Sequence, residues 1–208
     1  MKECIFCNWN LIKEDVLYQT ENFFVKVGIG IISAGHVMVI PKKHYYCYAE
    51  MPEELFSEYE QLKEKIKKFI TEKFSEPLLA EYGVWEQSVN HAHTHLIPLK
   101  AEDYEVFDVV SELSQLNDKV PEDYSIEKMR RLFEREGGYA YFEERGKSYL
   151  FSYDGKLKGE FCFCHRPYFA KKGVKGVLNY HNLNDEEKVK DEQKRNKTKE
   201  VFRKYFKL

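Results

Sequence analysis

The sequence predicts an α+β fold, with one long helix packed on an antiparallel sheet and a second α+β region after it. Short segments rich in β-branched and aromatic residues, separated by turn residues, recur through the first hundred residues, as is typical of strands. The stretch from Pro52 to Phe74 instead spaces its apolar residues three or four apart, as a helix does. Past Lys100 the chain becomes acidic and polar before new patterns begin. We therefore expect two regions, residues 1–104 and 105–208.

The predicted strands of the first region end at turn signals. These strands are residues 16–20, 23–27, 36–41, 78–85 and 91–97. Glu21 and Asn22 form the turn between the first two, and Pro41 and Pro98 end the third and the fifth. Pro52 suits the first turn of the long helix, whose apolar face should lie on the sheet.

The second region combines two predicted helices with three predicted strands. A helix over residues 126–136 stops at Gly137, and a highly charged helix is expected over residues 185–206. The strands are YAYFEE, KSYLFSYD and GEFCFCH, with a turn at Asp154 and Gly155.

The composition limits the classes of function. Hydrophobic residues make up 43% of the 208 residues, which is enough for a sizeable core. A formal net charge of −2 lacks the basic excess that general nucleic-acid binding requires. No apolar run approaches the roughly 20 residues of a membrane span, and MKECIFCNWN lacks the apolar core of a secretory signal. We expect a cytoplasmic protein, in which disulfides are uncommon.

The stretch VNHAHTHLIPL, residues 89–99, places His91, His93 and His95 at alternate positions. In a strand these side chains would share one face, about 7 Å apart from step to step. Near neutral pH imidazole serves as a metal ligand, a nucleophile or a proton carrier. The alternative is a row of polar residues on a wet sheet face, but the small residues between them favour a functional site.

Cys4 and Cys7 form a CxxC pair near the N-terminus. In a chain with spare histidines this spacing indicates half of a zinc site, and a redox pair is the rival interpretation. A redox CxxC normally opens a helix after a strand, which this position does not suggest. His44, just beyond a predicted strand, is a further candidate ligand.

The combination of GHVMVIPKKH with QSVNHAHTHLIP resembles the histidine triad (HIT) superfamily of nucleotide hydrolases and transferases. The family pattern is His-φ-His-φ-His-φ-φ, where φ is apolar, and residues 91–97 match it with Thr94 as a mild departure. The resemblance spans about residues 1–100. It implies a HIT-like antiparallel sheet and attack on the α-phosphate of a nucleotide or nucleotide conjugate through a covalent nucleotidyl-histidine.

The resemblance also implies catalytic roles for individual residues. His93 matches the attacking histidine, and His95 matches the histidine that hydrogen-bonds the phosphate or the leaving group. Gln87 and Ser88 match a pair that donates to the phosphate and orients the bridging oxygen. Such preorganised donors around developing negative charge are usually the largest catalytic contribution.

In the zinc-bearing branch of the family, the metal is held by residues that match Cys4, Cys7, His44 and His91. Four protein ligands fill a tetrahedral site, so the resemblance implies a structural zinc. Cys47 lies three residues past His44 and is a competing ligand, although a core position is favoured for it.

Departures from the family pattern leave the nucleoside open. Val27 and Gly28 stand where many members carry an acidic residue or asparagine that binds the ribose. Phe6, Phe24 and Ile40 are candidates for a base pocket, with core packing favoured for each.

The resemblance says little about the second half, which we expect to pack on the first and cover its site. That packing would replace the homodimer contact common in small family members. A homodimer is the alternative. The cluster of Cys162, Cys164 and His165 is either a second metal site or part of a buried strand, and the strand is favoured. Basic residues that either reach phosphate or are surface charge are Arg166, Lys171, Lys172 and Lys175.

Two alternatives remain beside nucleotidyl chemistry. One is a metal-dependent hydrolase that uses His91, His93 and His95 as ligands, which leaves the CxxC pair and His44 without a role. The other is a zinc-stabilised nucleotide-binding module without catalysis, against which the intact triad argues.

Overall fold

The computed structural model describes residues 4–84, 87–117, 120–152, 165–174 and 180–206. Within these residues, eight strands form one sheet in the order β1-β2-β3-β5-β4-β7-β8-β6, and every neighbouring pair is antiparallel. The strands are β1 Val16–Gln19, β2 Phe23–Val27, β3 Val37–Pro41, β4 Pro77–Glu81, β5 Thr94–Pro98, β6 Glu122–Asp123, β7 Tyr139–Glu144 and β8 Lys147–Ser152. The helices are α1 Trp9–Ile12, α2 Phe56–Lys73, α3 Val109–Asn117, α4 Ile126–Glu136, α5 His165–Lys171 and α6 Asp185–Tyr205.

The predicted α+β class is confirmed, and most elements lie where the sequence patterns put them. Helix α4 has the predicted bounds and ends at Gly137, which adopts a φ of 74° and is favoured there for the left-handed conformation. The sheet continues across the sequence midpoint, because β4 pairs with β7. None of the described helices combines the length and apolarity that crossing a membrane would require.

Two predicted strands differ from the observed ones by three or more residues at one end. The strand predicted over residues 78–85 ends at Glu81, and the one predicted from residue 91 begins only at Thr94. The second difference arises because the preceding backbone bonds elsewhere: the N–H of His91 donates to Val89 O, and that of Ala92 donates to Tyr45 O. His91 and His93 therefore precede the strand.

The predicted strand GEFCFCH lies outside the described residues except at its last position. His165 is the first residue of helix α5, so the strand prediction is wrong there. The positions of Cys162 and Cys164, and the turn at Asp154 and Gly155, also lie outside the described part of the chain.

The sheet has two covered faces because side chains alternate along each strand. The back face, which includes Val25, Leu79 and Leu96, packs against α2, α4 and the end of α6. The front face has two apolar clusters. One joins Ile97 and Phe142 to α3 and α5, and the other contains Phe6, Phe24, Met38 and Ile40.

Helix α6 holds residues 28–35 of the loop between β2 and β3. The Asp191 carboxylate accepts hydrogen bonds from the N–H groups of Gly30 and Ile31, at 3.1 and 2.8 Å. The Thr198 hydroxyl accepts one from the N–H of Gly35 at 2.9 Å. Three backbone donors of this loop are thus satisfied by the second half of the chain, which fixes the approach to the front face.

Glu81 is a buried carboxyl on the back face, and its ionisation should make stability depend on pH. Burial raises the pKa of Glu81 from 4.5 to about 7, although the Gly83 N–H donates to it. The folded state therefore binds this proton more tightly than the unfolded state. Its contribution is fully present below about pH 4.5 and is lost as pH rises through about 7, a change of about 3 kcal/mol.

We expect Glu81→Gln to remove this dependence. Urea unfolding across pH 4.5 to 7.5 should show the variant gaining stability over wild type as pH rises, and Glu54→Gln, at an exposed position, should run parallel to wild type. An unchanged difference between Glu81→Gln and wild type over that interval would contradict the assignment.

Candidate active site

Three histidines meet on the front face between its two apolar clusters. His36 immediately precedes β3, His93 precedes β5, and His95 lies within β5 opposite Met38. The ring centroids of His93 and His95 are 4.8 Å apart, and those of His36 and His95 are 5.2 Å apart. All three side chains are at least 93% buried, so the pairing of β3 with β5 brings them together inside the protein.

A sequence of hydrogen bonds fixes the proton positions on two of these rings. The Ile32 N–H donates to Nδ1 of His36 at 3.1 Å, so the ring proton of neutral His36 lies on Nε2. This Nε2 is 3.0 Å from Nδ1 of His95 and donates to it. The proton of His95 must then lie on its own Nε2, which becomes a hydrogen-bond donor.

His93 has the opposite arrangement. Its Nδ1 lies 2.6 Å from the carbonyl oxygen of His91 and donates to it. Its Nε2 therefore carries a lone pair rather than a proton. A neutral imidazole with one nitrogen held as a donor and the other available is a suitable nucleophile.

Burial favours the neutral form of these histidines. It lowers the pKa of His36 to about 3 and that of His93 to about 4, and it lowers the pKa of His95 well below the ordinary value. Neighbouring cations add to this effect. The charge of Lys26 lowers the pKa of His93, and the charge of Arg166 lowers the pKa of His36 and of His95. The surroundings of His36, His93 and His95, called the triad from here on, therefore carry positive charge, as an anionic ligand would require.

Cys4, Cys7, His44 and His91 form a second cluster, next to the first. One donor atom of each lies within 4.8 Å of the others. Nδ1 of His91 is 3.4 Å from Sγ of Cys4 and 3.6 Å from Sγ of Cys7, and Nδ1 of His44 is 3.4 Å from Sγ of Cys7. Bond lengths of about 2.3 Å to sulfur and 2.0 Å to nitrogen give a sulfur–nitrogen edge of about 3.5 Å in a tetrahedral zinc site.

The orientation of His91 suits a metal ligand. Its Nε2 is 2.8 Å from the carbonyl oxygen of Pro41 and donates to it, which leaves the Nδ1 lone pair facing the two thiols. A carbonyl partner of this kind commonly orients metal-bound histidine. The competing residue Cys47 is fully buried in the back-face core and is not a member of the cluster.

The other residues predicted from the sequence differ in whether they contact His91 or His93. Gln87 donates from its amide to the carbonyl oxygen of Tyr46, and Ser88 is exposed. Among the described contacts, none joins either residue to His93. Phe6, by contrast, packs edge-on against both His91 and His93, with centroids 5.8 and 5.5 Å away. Phe24 and Ile40 share its buried cluster.

The sequence patterns assign no catalytic role to three residues of the site. His36 lies within GHVMVIPKKH, and a histidine before a buried strand is a signal that could have identified it. Lys26 is a lysine within a wholly buried strand; burial lowers its pKa to about 8, against the opposing charge of Asp15. His165 belongs to the second half, and its ring centroid lies 4.5 Å from that of His95.

The proton positions can be tested directly. We expect His93 to carry its ring proton on Nδ1, and His36 and His95 to carry theirs on Nε2, because each assignment follows from the partner of the other nitrogen. Two-bond ¹⁵N–¹H correlation spectra of histidine-labelled protein distinguish these tautomers. His36→Phe should reduce the population of His95 with its proton on Nε2, while His181→Gln, at an exposed turn, should leave the other rings unchanged. A His95 proton found on Nδ1 in the wild type would refute the scheme.

The chain is similar in sequence to known proteins. The HIT domain family model matches residues 10–102. An uncharacterized HIT-like protein of Methanocaldococcus jannaschii is 33% identical over 50% of this chain and 84% of its own length. Adenosine 5′-monophosphoramidase of Schizosaccharomyces pombe is 31% identical over 49% of this chain and 77% of its own.

A solved structure, a hypothetical histidine triad nucleotide-binding protein from Sulfolobus tokodaii, is 28% identical. That match covers 50% of this chain and 77% of the other, with a TM-score of 0.42. The segment that matches the family model contains the three alternate histidines and the preceding GHVMVIPKKH. The chain therefore belongs to the HIT family.

Proposed function

We propose that this protein is a nucleotide hydrolase or nucleotidyl transferase that acts at the α-phosphate through a covalent nucleotidyl-histidine at His93. The observation that carries the proposal is the hydrogen bond from Nδ1 of His93 to the His91 carbonyl, at 2.6 Å. This hydrogen bond leaves Nε2 of His93 with an available lone pair, in a buried site beside the positive charge of Lys26. The name of the fission yeast relative, an adenosine 5′-monophosphoramidase, favours adenosine phosphoramidates as the first substrates to test.

The first step forms a bond from Nε2 of His93 to the α-phosphorus and breaks the bond from phosphorus to the leaving group. His93 keeps its Nδ1 proton, so the adduct is cationic, and the His91 carbonyl stabilises it. The leaving group departs with its electron pair and takes a proton from solvent. Water then attacks phosphorus and gives up a proton to solvent, which releases the nucleoside monophosphate and returns the electron pair to Nε2. Another acceptor in place of water gives transfer.

His95 supplies a donor for this chemistry, because its proton lies on Nε2. We assign it to the phosphoryl oxygens or to the leaving group. Gln87 and Ser88 would join it by donating to the phosphate and the bridging oxygen. The Gln87 amide would exchange its Tyr46 partner for substrate, and such catalytic contacts often tighten only in the substrate complex.

The Cys4, Cys7, His44 and His91 cluster fits a structural zinc. Two thiolates and two imidazoles are the donors that Zn²⁺ prefers, their separations match a tetrahedron, and four protein ligands leave no open position for substrate. Bound zinc would tie the N-terminal segment to the backbone that presents His93. Thiol ligands also require reducing conditions, which is consistent with a cytoplasmic protein.

The two alternative functions are less well supported. A catalytic metal held by His91, His93 and His95 would need lone pairs from all three on one side, but Nε2 of His91 faces Pro41 and its Nδ1 faces the thiols. A binding module without catalysis would have no need for the nucleophilic tautomer of His93.

Substitution of the nucleophile tests the reaction. We expect wild-type protein to release AMP from adenosine phosphoramidate or from dinucleoside polyphosphates, and His93→Gln to lower the rate by at least about 10³-fold. Acid quenching followed by intact-mass measurement should trap the adenylylated wild-type chain. The matched control His181→Gln should retain activity, and zinc content should stay near one per chain in all three proteins. Loss of metal from His93→Gln would instead favour the metal-dependent hydrolase.

Substitution within the thiol cluster tests the metal. Cys4→Ser should reduce bound zinc from about one per chain to about none and should lower the unfolding temperature, because metal binding is linked to folding. Cys47→Ala provides a matched control: it removes a buried thiol and weakens core packing but should retain the zinc. Equal zinc content in wild type and Cys4→Ser would overturn the assignment.

A further inference from the structure

We propose that His165, from the second half of the chain, contributes a fourth imidazole to the active site and donates a hydrogen bond from Nε2 to a phosphoryl oxygen of the bound nucleotide. The substrate class rests on the proposed function. The residue itself lies well outside residues 10–102, which match the HIT family model, so the matched region cannot supply this group.

The position of His165 is the first support. Helix α5 packs on the front face and places the His165 ring centroid 4.5 Å from that of His95 and 5.5 Å from that of His36. One nitrogen of each of these three rings lies within 4.8 Å of the other two. His165 is 3% exposed, so it is enclosed with the triad rather than lying on the surface above it.

Tyr82 holds the ring in place. Its hydroxyl oxygen accepts a hydrogen bond from the backbone N–H of His165 at 2.9 Å and lies 2.8 Å from Nδ1 of the same residue. The two rings are also stacked, with an angle of 22° between their planes. Because the hydroxyl oxygen already accepts from the His165 N–H, we assign its own proton to the hydrogen bond with Nδ1. This assignment places the ring proton of His165 on Nε2.

That Nε2 has no hydrogen-bond partner within the described part of the chain. An unsatisfied buried donor costs about 1–3 kcal/mol and is uncommon without a reason. Both ring nitrogens of His36 have protein partners. Nδ1 of His93 and Nδ1 of His95 have them too. Nε2 of His165 thus lies where a ligand bound beside His36 and His95 would accept its hydrogen bond.

The neighbouring charges favour an anionic acceptor over a metal ion. The positive charge of Arg166 disfavours protonation of His36, His95 and His165. The charge of Lys194 does the same for His36. A metal bound by His36, His95 and His165 would also compete with the hydrogen bonds that the first two make, because Nδ1 of His36 already accepts from Ile32 and its Nε2 donates to His95. A phosphoryl oxygen needs only the donors that these tautomers present.

Two amide substitutions separate the donor from the packing of the ring. His165→Asn keeps a polar group near Nδ1 for Tyr82 but has nothing at the position of Nε2, whereas His165→Gln places an amide N–H near Nε2. Lys172→Gln is the control, because Lys172 follows the same helix and pairs with Glu112 instead. The affinities of each protein for AMP and for adenosine should be measured by calorimetry, with zinc content and AMP release determined in parallel.

We expect His165→Asn to weaken AMP binding about 10- to 100-fold while adenosine binding stays within about twofold. His165→Gln and Lys172→Gln should bind AMP nearly as wild type does. In wild-type protein, AMP but not adenosine should shift the ¹⁵N resonance of Nε2 of His165, and this measurement holds even where a variant fails to fold.

Several results would overturn the proposal. These are unchanged AMP affinity in His165→Asn, an equal loss for AMP and adenosine, no response of the His165 resonance to AMP, or a second zinc that His165→Asn removes. Failure of the proposed function has a different signature: AMP affinity that depends on His165 in a protein that releases no AMP from any substrate. A wild-type protein that binds neither AMP nor adenosine would refute both.

Discussion

The hydrogen bond from the backbone N–H of Ile32 to Nδ1 of His36 sets the chemistry of the site. It directs the proton of His36 to Nε2, which in turn directs the proton of His95 to its own Nε2. Burial keeps these rings neutral, so each carries a single ring proton whose position its partner decides. A backbone group four residues away from His36 thereby determines that His95 presents a donor, while the His91 carbonyl determines that His93 presents a lone pair.

Much of this could be predicted from the sequence, because the relevant signals are local. Alternate histidines, a CxxC pair and GHVMVIPKKH occupy short segments, and they pointed to the cluster of Cys4, Cys7, His44 and His91 that the fold brings together. Helix α4 and strand β7 follow from apolar spacing and a glycine stop. Gln87 and Ser88 were assigned by register alone, and their roles stay predictions, since the structure describes Gln87 bonded to Tyr46.

The rest depends on contacts between residues far apart in the chain. The sequence pattern places His165 in a buried strand, with a second metal site as the alternative, and nothing in CFCHRP indicates that it meets His95, 70 residues earlier. Lys26 lies in an ordinary predicted strand, and its burial depends on distant segments: its Nζ lies 5.7 Å from the Phe6 ring centroid, and the charges of Asp15, Arg195 and Lys199 reach it. The alternation of His91 and His93 suggested a longer strand than exists, because turn and loop hydrogen bonds around Val89 and Tyr45 replace the ladder there.

The loop of residues 28–35 shows why the two halves act together at the site. It supplies the Ile32 N–H that orients His36, yet Asp191, Thr198 and Lys194 of α6 hold its backbone. The Arg166 guanidinium also donates to the carbonyl oxygens of Ile29 and Gly30. A change in α6 that released this loop would therefore alter the proton positions on His36 and His95 without touching either ring.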